Sequence, residues 1–367
     1  MNVLKLNKIC TNITDGKHGD CAHSSDSDCY FISAKDIVDN KIDYIKARKI
    51  VEDDYLEANK RTQLEINDIL ITNSGTIGKM ALIKSIPHPT TFQKSVAILK
   101  PNPKLINPKY LYYYLLANRE HVVSLAQGST QLNLLLKDIR NIEITIPTEI
   151  HQQHIVNTIG TIDDLIENHQ LQVEKLIELG DYLILQNSKK EPITNFANIS
   201  LGGTPSRKHP EYWNGTIKWI NSGSITGTPA VMSETEFITE LGVKHSATKP
   251  ACKGDCVLSI IEPSKNKVAL ILDDNVYFNQ SVICISPKNK RNHGLIFFSS
   301  RYLINEIKGY ATGAAQQSLN KDMIDKSEIL VPDNFDKLNN ICFEILNIEE
   351  KLRNLNQVKH LLLEKYF

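Results

Sequence analysis

The chain has 367 residues, too many for one ordinary domain and enough for two of about 150 residues with connecting structure. At 41% hydrophobic and 23% charged, with 17 Gly and 14 Pro, it is globular, and disordered, collagen-like and disulfide-scaffold classes are excluded. Lys+Arg and Asp+Glu each number 42, and a zero net charge speaks against a nucleic-acid binder, for which a basic excess is expected.

The N-terminus, Met-Asn-Val-Leu-Lys-Leu-Asn-Lys, has no basic region leading an apolar run, and no apolar stretch of about 18 residues occurs. No membrane span is expected, and the seven scattered cysteines read as reduced and mostly buried in a cytoplasmic protein. His18, Cys21, His23 and Cys29 alone lie close enough to suggest zinc; their spacing fits no common finger, and the Ser- and Asp-rich segment has the composition of a solvated loop. Lys35 to Lys49 holds five cations with Tyr44, a solvated face or a nucleic-acid contact. Short β-branched runs between Gly, Pro, Asn and Ser turns predict strands at Asp68–Thr72, Ser95–Leu99 and Glu143–Ile146, then at Cys256–Ile261, Ser281–Ile285 and Glu328–Val331. Pro108–Leu125 and Gly294–Lys308 are helix-like pieces between the last two runs of each set.

These sets belong to a repeat. Residues 128–147 match 313–332 without a gap, pairing Gly128 with Gly313, Gln131 with Gln316, Leu134 with Leu319 and Pro147 with Pro332. Upstream, Lys79–Ile83 matches Lys267–Ile271, and Phe92–Val96 resembles Phe278–Val282. Two copies of one unit in one chain predict an α+β fold: β-rich domains over 1–147 and 188–332, each followed by a helix, 148–187 and 333–367.

The helices show a sparse heptad seam. It runs through Ile155, Ile159, Ile162, Ile166, Val173 and Leu176 in the first, with Gly180 interrupting it, and through Ile341, Ile345, Ile348, Leu352, Leu355 and Leu362 in the second. Thr148 or Asp333 can cap them. Each stripe needs a partner, and an antiparallel two-helix coiled coil between the two domains supplies it. At 1.5 Å per residue, Ile155 to Leu183 spans about 42 Å, close to one turn of DNA.

No catalytic machinery is evident. Gly75-Thr-Ile-Gly-Lys79 looks like the tail of a P-loop, but the spacing is wrong and Met80 replaces the hydroxyl that should meet magnesium. Pro332-Asp333 with Glu349-Glu350-Lys351 formally resembles a nuclease pattern, yet Glu349 to Lys351 are expected as charged flanks of the heptad. What remains are polar loops. Gly202-Gly-Thr-Pro-Ser-Arg-Lys208 offers backbone N–H groups, hydroxyls and cations suited to phosphate. Trp213 and Trp219 follow it and read as core aromatics before anything else. Gln93, Asn279 and Gln280 begin strands, and Gln131, Gln316 and Gln317 follow a Gly; amides of this kind read adenine bidentately, and are also common strand-end residues.

The order of parts carries a resemblance. A β-rich domain, a Gly-x-x-Gln stretch ending in a Pro-terminated strand, then Glu149-Ile-His-Gln-Gln-His-Ile155 opening a long helix, the whole written twice, resembles the specificity subunit of a type I restriction–modification enzyme over essentially the full chain. Gly75–Lys79 and Gly202–Arg207 fit the same family. The resemblance implies two target-recognition domains, each reading half of a split double-stranded DNA sequence, with the antiparallel helices docking two modification (methyltransferase) subunits. It further implies that S-adenosylmethionine, ATP and Mg2+ act on the modification and restriction subunits, with no catalytic residue, metal or cofactor on this chain. The DNA contacts expected on this basis are the cations Lys17, Lys79, Lys94, Arg207, Lys208, Lys265 and Lys267, the hydroxyls Thr204 and Ser206, and the amides named above. Two departures stand out: Asp336-Lys-Leu-Asn-Asn-Ile341 replaces the Glu149–Ile155 opening, and Glu262-Pro-Ser-Lys-Asn266 stands opposite Gly75–Gly78. Both bear on whether the two partner subunits dock symmetrically. A recognition subunit with its own nuclease, or an adaptor that binds proteins through a coiled coil, are the competing readings.

The neutral charge resolves on this division. Residues 1–147 carry 19 Lys+Arg against 16 Asp+Glu and residues 188–332 carry 17 against 13, whereas the helices carry 1 against 7 and 5 against 6. Slightly basic domains are cancelled by acidic connectors, which suit protein docking better than phosphate.

Overall fold

A computed structural model describes residues 2–128, 132–307 and 319–367, which divide into two compact units: Met1–Asp164 with Val358–Phe367, and Leu165–Gln357. In chain order the first unit contains β1 (Asn2–Lys5), α1 (Leu6–Ile9), β2 (Cys10–Asp15), β3 (Cys29–Ile32), β4 (Ile37–Val38), β5 (Lys41–Ile42), β6 (Arg48–Ile50), α2 (Glu52–Thr62), β7 (Ile69–Thr72), β8 (Met80–Leu82), β9 (Thr90–Phe92), β10 (Val96–Pro101), α3 (Pro108–Ala117), α4 (Arg119–Ser124), α5 (Leu136–Asn141) and β11 (Glu143–Ile146). The long helix α6 (Glu149–Leu183) starts here and crosses into the second unit. There follow β12 (Ser188–Pro192), β13 (Ala197–Leu201), β14 (Trp213–Ile220), β15 (Ala230–Val231), β16 (Glu236–Ile238), α7 (Glu240–Lys244), β17 (Lys249–Ala251), β18 (Cys256–Ser259), β19 (Val268–Ile271), β20 (Val276–Phe278), β21 (Val282–Pro287), α8 (His293–Ile307), α9 (Lys321–Asp325), β22 (Glu328–Pro332) and α10 (Asp336–Tyr366), whose last turns return to the first unit.

Each unit has two main sheets. In the first, a sheet of order β2-β10-β7-β8 faces a smaller one of order β6-β3-β9; in the second, β13-β21-β18-β19-β15 faces β16-β14-β20-β17. The central runs of the larger sheets are apolar at every position because both faces are covered. Alternate residues feed opposite cores: Leu70, Val96 and Ile98 pack towards Ile32 and Phe92 of the smaller sheet, while Ile69, Ile71, Ala97 and Leu99 pack beneath Tyr110, Leu111 and Leu115 of α3. Val257, Val282 and Cys284 meet Ile220 and Phe278 in the same way in the second unit. Short pairs, β1 with β11 and β12 with β22, close each repeat before its long helix.

The helices α6 and α10 are antiparallel where they meet in the first unit: Tyr366 Oη lies 3.2 Å from His154 Nε2, and Lys359 Nζ lies 2.6 Å from Asp163 Oδ1. No seam residue is exposed. Ile155, Ile159, Ile166, Val173, Ile341, Ile345, Ile348 and Leu352 are buried, and Ile162, Leu176, Leu355 and Leu362 are half-buried. The break at Gly180 is filled by the ring of Phe298 from α8, which leaves no room for a Cβ. The helix start also shifts: α10 begins at Asp336, and Asn334 rather than Asp333 accepts the Asp336 N–H (3.1 Å).

One expectation on α10 is overturned. Glu349 is not a solvated heptad flank but 3% exposed, and burial pushes its carboxyl up to about 7. It lies on a second buried stripe with Cys342 and Leu346, spaced four and three residues apart, so α10 is covered on two sides. Its neighbour Glu350 is half-exposed and pairs with Lys253 at 2.8 Å.

Candidate nucleic-acid interface

The loops marked by the sequence meet at one end of the larger sheet in each unit. The end of β2 lies beside the start of β10, which pairs with the end of β7, and β7 pairs with the start of β8. The segments after β2, before β10 and between β7 and β8 therefore gather at one edge. The backbone joins them: Gly16 N–H donates to Val96 O (3.2 Å), Lys17 N–H to Phe92 O (2.8 Å), Asn73 N–H to Ser95 O (3.0 Å) and Leu134 N–H to Asn73 O (2.8 Å). The second unit repeats this pattern. Gly203 N–H donates to Phe278 O (3.0 Å), Ile260 N–H to Ser281 O (3.1 Å) and Leu319 N–H to Ile260 O (2.9 Å).

Glycine is demanded at the crossing. A Cβ on Gly16 would stand 2.0 Å from Phe92 O, and one on Gly202 would stand 2.1 Å from Phe278 O. This contact between backbones delivers Lys17 beside Gln93 and Thr204 beside Gln280.

The side chains there differ in what they leave free. In the second unit Thr204 Oγ1 donates to Gln280 Oε1 at 2.5 Å, and both residues are exposed, so a hydroxyl–amide pair faces outwards. Ser206 and Lys208 are exposed, and the Ser206 carbonyl accepts the Trp213 indole N–H (3.3 Å). Trp213 and Trp219 are buried core aromatics in an edge-to-face pair, 5.3 Å between centroids. Arg207 lies over Trp213 at 3.5 Å from the ring centroid and pairs with Glu236 at 2.7 Å. Asn279 is buried, and its Oδ1 accepts the Ser281 N–H (3.0 Å), so it holds the turn while Gln280 is the amide presented. Lys267 spends its ammonium on the Ile225 carbonyl (3.2 Å).

In the first unit, Gln93 is half-buried, its Oε1 accepting the Ser95 hydroxyl at 3.2 Å, and Lys94 is exposed. Lys79 is half-buried, with its N–H on Thr72 Oγ1 (2.9 Å). Lys17 is not a free cation: Glu57 at 3.0 Å and Asp54 at 3.4 Å on α2 neutralise it, and the Glu57 contact raises its pKa. Gln131, Gln316 and Gln317 lie outside the described residues, as does the Lys265 side chain.

The four zinc-like residues go separate ways. His18 Nε2 meets Asp15 at 3.0 Å, His23 Nδ1 meets the Lys49 carbonyl at 3.0 Å, and Cys21 and Cys29 join Phe31 and Ile50 in a small core. Among the described residues no three His, Cys, Asp or Glu side chains converge as a metal set.

One arginine gains a distinct setting. Arg48, inside the cationic Lys35–Lys49 run, lies 6.0 Å from the Phe31 centroid, pairs with Asp20 at 2.6 Å and donates to the Cys21 carbonyl. Its membership of that run was its sole signal, since its hydrogen-bonding partners Asp20 and Cys21 lie 28 and 27 residues upstream.

Comparison with known proteins converges on one description. The family model for the type I restriction modification DNA specificity domain matches twice, over residues 15–179 and 186–357. The specificity subunit of the type I restriction enzyme MjaIX from Methanocaldococcus jannaschii is 24% identical over 92% of this chain and 85% of its own length. A second protein of that organism, described as the putative type I restriction enzyme MjaX specificity subunit, is 28% identical over 81% of this chain and 75% of its own. In fold, the chain is similar to the crystal structure of a type I restriction-modification S subunit from M. genitalium, with a TM-score of 0.55 at 15% identity, covering 100% of this chain and 96% of that one.

Proposed function

The chain belongs to the type I restriction modification DNA specificity family, a family of recognition rather than catalytic subunits, and from that premise we propose that it reads a bipartite double-stranded DNA target, one half-site per unit. The observation that carries this reading is the twice-built sheet edge, where a glycine crossing sets polar side chains beside the start of β10 or β21. Thr204 and Gln280 in the second unit and Gln93 in the first are the groups placed to meet base edges, with Lys94, Ser206 and Lys208 on phosphate. Gln131, Gln316, Gln317 and Lys265 are proposed as DNA contacts from their place in the sequence repeat. Lys79 keeps its proposed place on phosphate, while Lys17, Lys267 and Asn279 act by holding the loops.

The acidic α6 and the paired α10 dock two modification subunits, and helix length fixes the unread spacer between half-sites. S-adenosylmethionine, ATP and Mg2+ then serve the modification and restriction subunits, in the cytoplasm where chromosomal DNA lies.

The test is binding to duplex DNA across a salt series, with and without a modification subunit. Salt-dependent binding that the modification subunit strengthens is expected; its absence in both mixtures would refute the reading. Removing one heptad from both helices should shorten the spacer of the methylated motif and keep both half-sites.

A further inference from the structure

In the smaller sheet of each unit one aromatic residue occupies the same lattice point. Phe31 of β3 lies between Thr91 on the parallel side and Arg48 on the antiparallel side; Trp219 of β14 lies between Tyr277 and Glu236. The position opposite the aromatic thus holds a cation in one repeat and an anion in the other. Each is answered from the loop that leaves the glycine crossing. Asp20, shortly after Gly16, meets Arg48 at 2.6 Å, and Arg207, shortly after Gly202, meets Glu236 at 2.7 Å. The ion pair is kept in place and inverted in direction.

Both guanidinium groups lie against rings, Arg48 at Phe31 and Arg207 at Trp213 with Trp219 5.9 Å away. Both pairs are open to solvent, with side-chain exposures of 34% and 78% for Arg48 and Asp20, and 57% and 38% for Arg207 and Glu236. The Arg48 hydrogen bond holds Asp20 below the usual carboxylate range, so the carboxylate is ionised at neutral pH.

We propose that Arg48 and Arg207 are matched contacts to the DNA backbone, and that Asp20 and Glu236 each hold one guanidinium nitrogen until a phosphate displaces them. The inference rests on the DNA-reading function above. A carboxylate oxygen takes a guanidinium N–H much as a phosphate oxygen does, and an exposed pair exchanges at little cost. The ring keeps the guanidinium plane in place during the exchange. Every duplex must displace the carboxylates, so the latch weakens loose binding as well as tight binding.

The experiment uses the complex with modification subunits and duplex carrying its methylated motif, titrated at several salt concentrations. D20N and E236Q, which remove no packing, should each tighten binding about twofold to fivefold. R48A and R207A should weaken it on the order of tenfold and lower the salt slope by about one; R48K and R207K, which keep the charge and lose the fork, should fall between. In the R48A background D20N should have no effect. A D20N gain that persists without Arg48 would overturn the latch, and so would arginine variants that bind like the parent. A relaxed base preference in the methylated motif of R48A would overturn the phosphate assignment. Wild-type complex that ignores duplex DNA refutes the parent reading; wild-type binding with unmoved variants refutes the latch alone.

Discussion

The two repeats tie the long helix to its own domain through the same hydrogen bond, made from different residues. In the first, Asn107 N–H at the start of α3 donates to Gln152 Oε1 (2.9 Å), and the Gln152 amide reaches back to the Pro147 carbonyl (3.1 Å). In the second, Gly294 N–H at the start of α8 donates to Asn339 Oδ1 (3.3 Å). Asn339 is one methylene shorter than Gln152, and Gly294 lets the elements close up: a Cβ there would stand 2.1 Å from the Leu338 carbonyl. The helix opening of the second copy, so unlike Glu149–Ile155 in sequence, thus keeps the contact. What differs is the support around it. The first unit adds the Tyr113 hydroxyl (2.7 Å) and a largely buried Lys359 ammonium (2.6 Å) on Asp163, whereas the second adds three more exposed ion pairs, Arg291–Asp336, Lys253–Glu350 and Arg353–Asp273.

The largest expected effect tests the close approach. G294A should cost about 3 kcal/mol or more in denaturant unfolding of the full chain, because backbone, not a movable side chain, occupies the space. The reciprocal N107G removes a residue whose Oδ1 accepts the Lys109 and Tyr110 N–H groups, and should cost only about a few tenths of a kcal/mol, because Gly is itself tolerated at a helix cap. Equal costs would mean that the two contacts are not built differently.

That hydrogen bond also realigns the helices. Counted from Asn107 to Gly294 and from Gln152 to Asn339, Ile155, Ile159, Ile162 and Ile166 correspond to Cys342, Leu346, Glu349 and Arg353. The apolar seam legible on α10, Ile341 to Leu352, is therefore a different face from the seam legible on α6. Periodicity reveals where an apolar stripe lies but not what it meets, and the domain-facing stripe of α10 escaped notice because two of its four positions are charged. The repeat, both helices and six strands (β7, β10, β11, β18, β21 and β22) were legible in the spacing of apolar residues, whereas the strands of the smaller sheets were not. The pairing of Lys17 with α2, the retirement of Asn279 into a turn and the inverted Arg48–Asp20 and Arg207–Glu236 pairs were not, because each depends on residues brought together across strands.

The next effect follows from Glu349, where the first repeat has Ile162. Its carboxyl titrates near 7 in the folded chain and near the ordinary 4.5 when unfolded, so the folded chain holds a proton that the unfolded chain releases. Its contribution to stability therefore falls as pH rises from about 4.5 to 7. E349I, which makes the second repeat like the first, should raise stability at pH 7.5 by about 2 kcal/mol and flatten that slope. A variant less stable than the parent at pH 7.5, with the slope retained, would show that the carboxylate is accommodated as an ion.

Asp273 gives a smaller effect of opposite sign. Arg353, at 2.7 Å, and Lys218, also at 2.7 Å, hold its carboxyl down to about 2. The stability from this lowered pKa is present above the ordinary value near 4 and is lost as pH falls towards 2. The side chain is about a third exposed, so D273N should cost about 1 kcal/mol at neutral pH and remove part of the acid sensitivity between pH 4 and 2. Acid unfolding curves of D273N and the parent that differ only by a constant offset would refute the assignment.

The smallest effect asks whether ionic support behaves differently from neutral support. Arg291–Asp336 and Lys253–Glu350 are exposed or half-exposed, so each contributes little and is screened within about a Debye length. Raising salt from about 0.05 M to about 0.5 M, where that length shrinks severalfold, should hasten hydrogen exchange over residues 336–350 of α10 and leave residues 149–163 of α6 nearly unchanged. The contrast comes from the anchors: Gln152 and Tyr113 hold α6 through hydrogen bonds, and its Lys359–Asp163 pair is largely buried and so little screened, while the start of α10 keeps one neutral bond, from Gly294 to Asn339, among exposed ion pairs. Equal acceleration in both helices would place the salt response in the shared cores instead, and D336N, which removes the outermost pair, would then fail to reproduce it at low salt.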